Sequence, residues 1–234
     1  MSTFVTRRAA FGIAATAALA SLTACASDIR PLSDPSTPKE QRSYKGELKF
    51  NSYESRGTYV PATSSKKAEN PPKPIPPAKM RAKTTEGMYA AIGFWVASFN
   101  YLILSGDIEP FMAVDINRND IYKAEAFAEL YKSNTGWMYG ADAPVSANLT
   151  EDAPEQVNEH QYRWRATSRY HKKTTIHYTD GRELPMTSLD GNTGDYDFFF
   201  ALKYQDGAWT VWNERVKLAP ISPTSSASSS GASV

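Results

Sequence analysis

Residues 88–105 carry no charge and are mostly apolar. Met88, Ile92, Trp95, Phe99 and Leu102 recur at spacings of four and three, which places them on one helical face. Phe94, Val96, Tyr101 and Ile103 make the other faces apolar as well. A helix apolar nearly all round is buried nearly all round. Thr85 stands where an N-cap is expected, Glu86 suits the positive end of the helix, and Ser105-Gly106 ends it after about Leu104. The same stretch is at the lower length limit for crossing a bilayer. Lys79, Arg81 and Lys83 precede it and Asp107 and Glu109 follow. A spanning helix with those flanks would put its basic side in the cytoplasm. That conflicts with the export signal described below, so a core helix is expected.

Two shorter helices should follow. Asp107 is placed to cap one over residues 108–112, and Asn119 or Asp120 begins another that runs to about Lys132, with Tyr122, Phe127 and Leu130 apolar. After Gly136 the period changes to two. Tyr162, Trp164, Ala166, Ser168 and Tyr170 alternate with Arg163, Arg165, Thr167 and Arg169, as in a half-buried strand. Residues 195–204 and 208–216 form a hairpin across Asp206-Gly207. Tyr196, Phe198, Phe200, Leu202 and Tyr204 share one face of it. Trp209 and Val211 lie on one face of the returning strand, and Trp212 on the other. Helices first and antiparallel strands afterwards define an α+β class. The expected architecture is a roll, with the helices packed on a curved antiparallel sheet over residues 84–218.

The flanks read differently. Arg7 and Arg8 are followed by an Ala-rich apolar run over residues 9–20, then by Leu22-Thr23-Ala24-Cys25. A basic region, a short apolar region and small residues before a cleavage point make a signal peptide over residues 1–24. The small residues before the only cysteine in the chain read as a lipobox, with Cys25 the acceptor of a diacylglycerol. Two acyl chains hold a protein stably on a membrane. Arg7-Arg8 with Phe11 leaves twin-arginine and general secretory export as alternatives. Residues 25–83 are expected to form a lipidated, proline-rich tether. Its run Asn70-Pro71-Pro72-Lys73-Pro74-Ile75-Pro76-Pro77 favours polyproline II. Leu48, Phe50, Tyr53 and Tyr59 mark a part of it that could lie along the domain. Residues 219–234 read as a disordered Ser-rich tail.

Composition narrows the function. Loss of Arg7 and Arg8 takes the net charge from +1 to −1, which argues against nucleic-acid binding. One cysteine rules out an intrachain disulfide. His160, His171 and His177 lack metal-ligand spacing and read as surface or structural residues. Asp190, Asn192, Asp195 and Asp197 are oxygen-rich, but the sixth and twelfth positions from Asp190 are Asp195 and Ala201. A calcium loop needs Gly and Glu there. No cofactor or metal motif occurs. Arg163, Arg165 and Arg169 form a basic stripe, either a solvated face or a surface for acidic envelope polymer or lipid headgroups. Trp95, Tyr101, Tyr162, Trp164 and Trp209 are candidates to line a pocket between helix and sheet.

The proline run, Thr85-Glu86-Gly87, Phe94-Trp95 to Asn100-Tyr101, Gly106-Asp107-Ile108-Glu109-Pro110 and Gly207-Ala208-Trp209-Thr210-Val211 occur in this order. In that respect the chain resembles an actinobacterial lipoprotein family of unknown function, domain of unknown function 6318. The resemblance implies a surface lipoprotein with a cystatin-like or nuclear-transport-factor-2-like roll. It brings no established activity. Members often carry a Cys-x-x-Cys pair where Asn119 and Tyr122 stand, so a redox role for that pair is absent here. The expected function is a membrane-anchored, non-catalytic module that binds a ligand, an envelope polymer or a protein. A small pocket enzyme using acid/base chemistry and an accessory subunit of an envelope complex are the alternatives.

Overall fold

A computed structural model of the chain describes residues 42–54, 56–115, 118–189 and 195–215, with the side chains of residues 118–122 left aside. The expected signal peptide, Cys25, the Ser-rich tail, and Asp190 and Asn192 lie outside the described residues.

The central element is helix α1 (Thr85–Ser105). Its cap is Thr84, one residue before the expected Thr85. Thr84 has extended backbone, and its hydroxyl accepts the Gly87 N–H at 3.1 Å. The helix ends at Gly106, where φ is 77° and the N–H donates to the Leu102 carbonyl at 2.8 Å. In an 18-residue apolar window of α1 the mean hydropathy is 1.4, yet 83% of that window is buried inside the protein. It is a core helix by packing. Helix α2 (Glu109–Met112) follows, starting one residue later than expected, with Ile108 rather than Asp107 at the cap position; the Asp107 carboxylate still accepts the Glu109 N–H at 3.0 Å. Helix α3 (Arg118–Lys132) packs on α1 through Phe127, whose ring centre lies 6.1 Å from that of Phe99.

The strands are β1 (Gly46–Glu47), β2 (Tyr53–Glu54), β3 (Lys73–Pro74), β4 (Gly136–Tyr139), β5 (Val145–Leu149), β6 (Glu155–Gln156), β7 (Gln161–Tyr170), β8 (Thr175–Tyr178), β9 (Glu183–Pro185), β10 (Tyr196–Gln205) and β11 (Ala208–Arg215). The main sheet has the order β1-β5-β7-β10-β11, with β6 also paired to β7, and every pairing is antiparallel. Strands β4, β8 and β9 form a second small sheet, and β2 pairs with β3. Together with the helices this is an α+β protein. The β10–β11 turn has positive φ at both Asp206 (53°) and Gly207 (77°), the geometry that matches strand twist. Alternation then works as the pattern predicts. Trp164, Ala166, Phe198, Phe200, Leu202, Trp209 and Val211 are all buried. Phe200 reaches α1, its ring centre 5.6 Å from that of Trp95.

The expected tether over residues 25–83 needs correction from Arg42 onward. Tyr44, Leu48 and Phe50 pack against the core, Met80 is buried, and β1 pairs with β5. The proline run is not a free spacer. Pro74 is buried within the β2–β3 pair, and the Ile75 N–H donates to the Ser52 carbonyl at 2.8 Å. Residues 60–69 form a small hairpin through the Val60–Glu69 and Thr63–Lys66 bridges. The physical reason is that one sheet covers only one side of α1. The other side needs a strap, and the scattered apolar residues of 42–83 supply it. The strap runs so close that a methyl group added at Gly93 would lie 3.4 Å from the Phe50 ring.

This packing sets three expectations. A chain beginning at Thr84 should lose its cooperative urea transition and bind an apolar dye, whereas one beginning at Arg42 should melt like the intact protein. Gly106→Ala should destabilise by about 2 kcal/mol or more, because the left-handed φ is costly and the new methyl would sit 2.3 Å from the Tyr131 Cβ. Gly207→Ala meets no neighbour within 4 Å and should cost about 1 kcal/mol in the same melts.

Candidate functional site

The five residues expected to line a pocket do not form one. Trp164 and Trp209 are fully buried, and their indole N–H groups donate to the carbonyls of Glu151 (2.9 Å) and Ala82 (2.7 Å). Trp95 packs among Phe99, Phe111 and Phe200 and donates to the carboxylate of buried Asp115 at 2.7 Å. Tyr162 packs edge-on against Trp209, with ring centres 5.6 Å apart. These rings fill the space between helix and sheet. Large aromatic surfaces with satisfied polar tips make a core, not an opening. Of the five, Tyr101 lines a crevice.

Two crevices lie on either side of the 60–69 hairpin, and both reach Leu104 near the end of α1. The first has a volume of about 260 Å³ and is walled by Arg56, Lys67, Asn70, Tyr101, Ser105 and Tyr131. The second, about 250 Å³, is walled by Tyr59, Pro61, Ala62, Tyr139 and Asp142.

The hairpin is held in place by side chains. The Trp137 indole donates to the Thr63 carbonyl at 2.8 Å, and the Tyr59 hydroxyl donates to Asp142 at 3.0 Å. Burial, and then the Asp142 carboxylate, push the Tyr59 phenol well above its ordinary value. Tyr131 is the floor of the first crevice. Its hydroxyl donates to the Ile103 carbonyl at 2.6 Å and accepts the Met138 N–H at 3.0 Å. Burial pushes its pKa up to about 12. Lys73 Nζ lies 3.0 Å from Asp107 and 5.9 Å from the Tyr101 ring centre, and the bond to Asp107 raises the Lys73 pKa.

The arginine stripe does lie on the outer sheet face, but it is not a basic surface. Arg163 forms two hydrogen bonds to Glu155 (2.7 and 2.9 Å), Arg165 lies 3.7 Å from Asp197, and Arg169 lies 3.8 Å from Asp195. Exposed pairs of this kind contribute only about 0–1 kcal/mol each, but they cancel the field of the stripe. His160 and His171 are exposed. His177 stacks on Trp137 with ring centres 4.4 Å apart, in a strand whose partner Glu183 is 3.5 Å from its Nδ1.

Arg56, Lys67 and Asn70 escaped the sequence reading as site residues because they lie in the segment taken as tether, where Tyr59 was marked only as able to lie along the domain. Their only local signal was the small polar turn Thr63-Ser64-Ser65-Lys66, flanked by residues of mixed polarity.

The fold and the crevices define an α+β domain whose accessible hollows lie on its surface, under a strap, rather than in its interior. The chain belongs to a family of unknown function (DUF6318), which matches residues 57–215. That match begins well inside the expected tether and ends with β11, so it takes in the hairpin. No curated protein and no solved structure matches the chain.

Tyr131→Phe tests the crevice floor. Loss of two hydrogen bonds should cost about 1–3 kcal/mol. The unfolded phenol ionises at 10.0 and the folded one at about 12, so the folded state keeps a proton that the unfolded state gives up. This stabilisation is complete below pH 10 and is lost as pH rises toward 12. Urea melts across that range should show a shallower decline for Tyr131→Phe than for the wild type.

Proposed function

We propose that this chain is a lipoprotein anchored on the extracytoplasmic face of the cell membrane, where its body serves as a non-catalytic binding or interaction module. The observation that carries the reading is the ordered N-terminal pattern. Arg7 and Arg8, an apolar run, and Leu22-Thr23-Ala24 lead directly to Cys25, the one cysteine of the chain. A diacylglycerol on that sulfur supplies two acyl chains, enough for a stable anchor without a spanning helix. The long apolar helix α1 is 83% buried across its apolar window, so this reading asks no membrane span of it.

The body fits a cystatin-like or nuclear-transport-factor-2-like roll. Support for this comes from one long helix set against an antiparallel sheet, with the helices preceding the long strands. The aromatic filling between them favours binding over pocket chemistry. Recognition then falls to the surface, to a protein or polymer of the envelope.

Changing Cys25 to Ser and fractionating host cells is the direct test. The wild-type protein should sit in the membrane fraction, and the variant should appear in the soluble or secreted fraction. Mass spectrometry of the wild-type protein should find a chain starting at a diacylglyceryl cysteine. An intact N-terminus with a free thiol, or equal partitioning of the two proteins, overturns the reading.

A further inference from the structure

We propose that the first crevice, between the 60–69 hairpin and the end of α1, binds a single carboxylate or phosphate group carried on a compact polar ligand such as a sugar ring. The proposal deepens the binding-module reading and rests on it.

The charge balance of the crevice carries the argument. Two cations, Arg56 and Lys67, line it, and Lys73 lies behind Tyr101. Arg56 is paired with Glu54 at 3.1 Å, but both side chains are nearly half exposed and the bond is easily exchanged. Lys73 is committed to Asp107. Lys67 is different. Its ammonium donates to the neutral Asn134 side-chain oxygen at 2.7 Å and sits 5.8 Å from the Tyr131 ring centre. Among the described residues no carboxylate lies within ion-pair distance of it.

The negative end of α1 could in principle account for these cations. Three of its last carbonyls, however, are already answered within the protein. The Ser105 hydroxyl donates to Tyr101, the Gly106 N–H to Leu102, and the Tyr131 hydroxyl to Ile103. That leaves Lys67, with Arg56 beside it, facing open space.

The walls suit a small polar ring. Tyr101 and Tyr131 supply aromatic surface, and both are held rigid, Tyr101 by burial and Tyr131 by its two hydrogen bonds. Asn70 stands at the rim, fixed by its own hydrogen bond to the Thr58 carbonyl at 3.2 Å. A volume of about 260 Å³ is below the roughly 300–1,000 Å³ typical of drug-sized ligands, so it fits one compact group rather than a chain. The second crevice lacks this chemistry, because its charged wall residue, Asp142, is anionic and bonded to Tyr59.

The test is a titration of the isotopically labelled full chain, followed by NMR, with inorganic phosphate, glucuronate and, as neutral control, glucose. Phosphate or glucuronate at millimolar levels should shift the amide signals of Lys67, Ala68, Asn70 and Ser105, and glucose should not. Lys67→Ala should weaken binding about tenfold, the size of one charge-assisted hydrogen bond. Arg56→Ala should weaken it several-fold, Lys67→Arg should retain it, and Arg165→Ala, on the outer face of the main sheet, should leave it unchanged. Circular dichroism on each variant separates loss of binding from loss of fold.

Response to phosphate alone points to a phosphorylated ligand, response to glucuronate alone to a uronic acid, and either supports the site. No shift at tens of millimolar, equal response to glucose, or binding untouched by Lys67→Ala overturns it. The Cys25→Ser fractionation is read independently. A failed anchor with an intact titration sinks only the membrane reading. A failed titration with an intact anchor sinks only this site.

Discussion

Everything in this fold answers to one demand, that α1 be kept from water on all sides. Its large side chains gain about 1.5–3 kcal/mol each when fully buried. A helix with a polar face can rest on a sheet and leave its back exposed. This one cannot, because Phe94, Val96, Tyr101 and Ile103 point away from the face that carries Trp95 and Leu102. The sheet answers one side, α2 and α3 a second, and the strap over residues 42–83 the rest.

The strap is attached unlike an ordinary strand. Its ladders are two residues long, so most of its backbone groups have no neighbouring strand to bond. Buried or half-buried carbonyls without partners are costly. Core aromatics supply the missing partners. Trp137 donates to Thr63, Trp209 to Ala82, and Tyr204 to Arg81, while the Tyr89 hydroxyl accepts the Lys49 N–H. The rings that fill the interior thus also fasten the chain that crosses it. This dual use explains why aromatic residues that looked like pocket lining are structural, and why the hollows lie at the margins of the strap.

What could be read in advance followed periodicity. α1, α3 and the β10–β11 hairpin were legible because many consecutive side chains obey one repeat, and Asp206-Gly207 adds a turn with few alternatives. The strap was legible only in part: Leu48 and Phe50 marked a stretch that could lie along the domain, but they and Met80 are isolated anchors with no repeat between them, and the prolines imitate a spacer. Strands β4, β8 and β9 are only three or four residues each, too short for alternation to stand out. The candidate site inherits this difficulty. Tyr101 was visible on its helix, but Lys67 and Arg56 gain meaning only when the strap brings them across the end of α1. The arginine stripe was visible as a pattern, but its neutralising partners Glu155 and Asp197 come from neighbouring strands.

A strap fastened by single anchors, one after another, responds to tension in a particular way. A pull on the N-terminal side of residue 42 loads the first contacts first: Tyr44, with its backbone bond to Asp152 and its ring against Trp164. After these come the two-residue β1 pairing and then Phe50 against Phe94. Because each fastening carries load in turn rather than together, the strap peels. The deeper points at Thr63, Met80 and Ala82 are shielded until the outer ones have gone. Of the main sheet only the two-residue β1 edge is loaded early, so stress at the leading end is spent in small steps before it reaches the long β7–β10–β11 ladders.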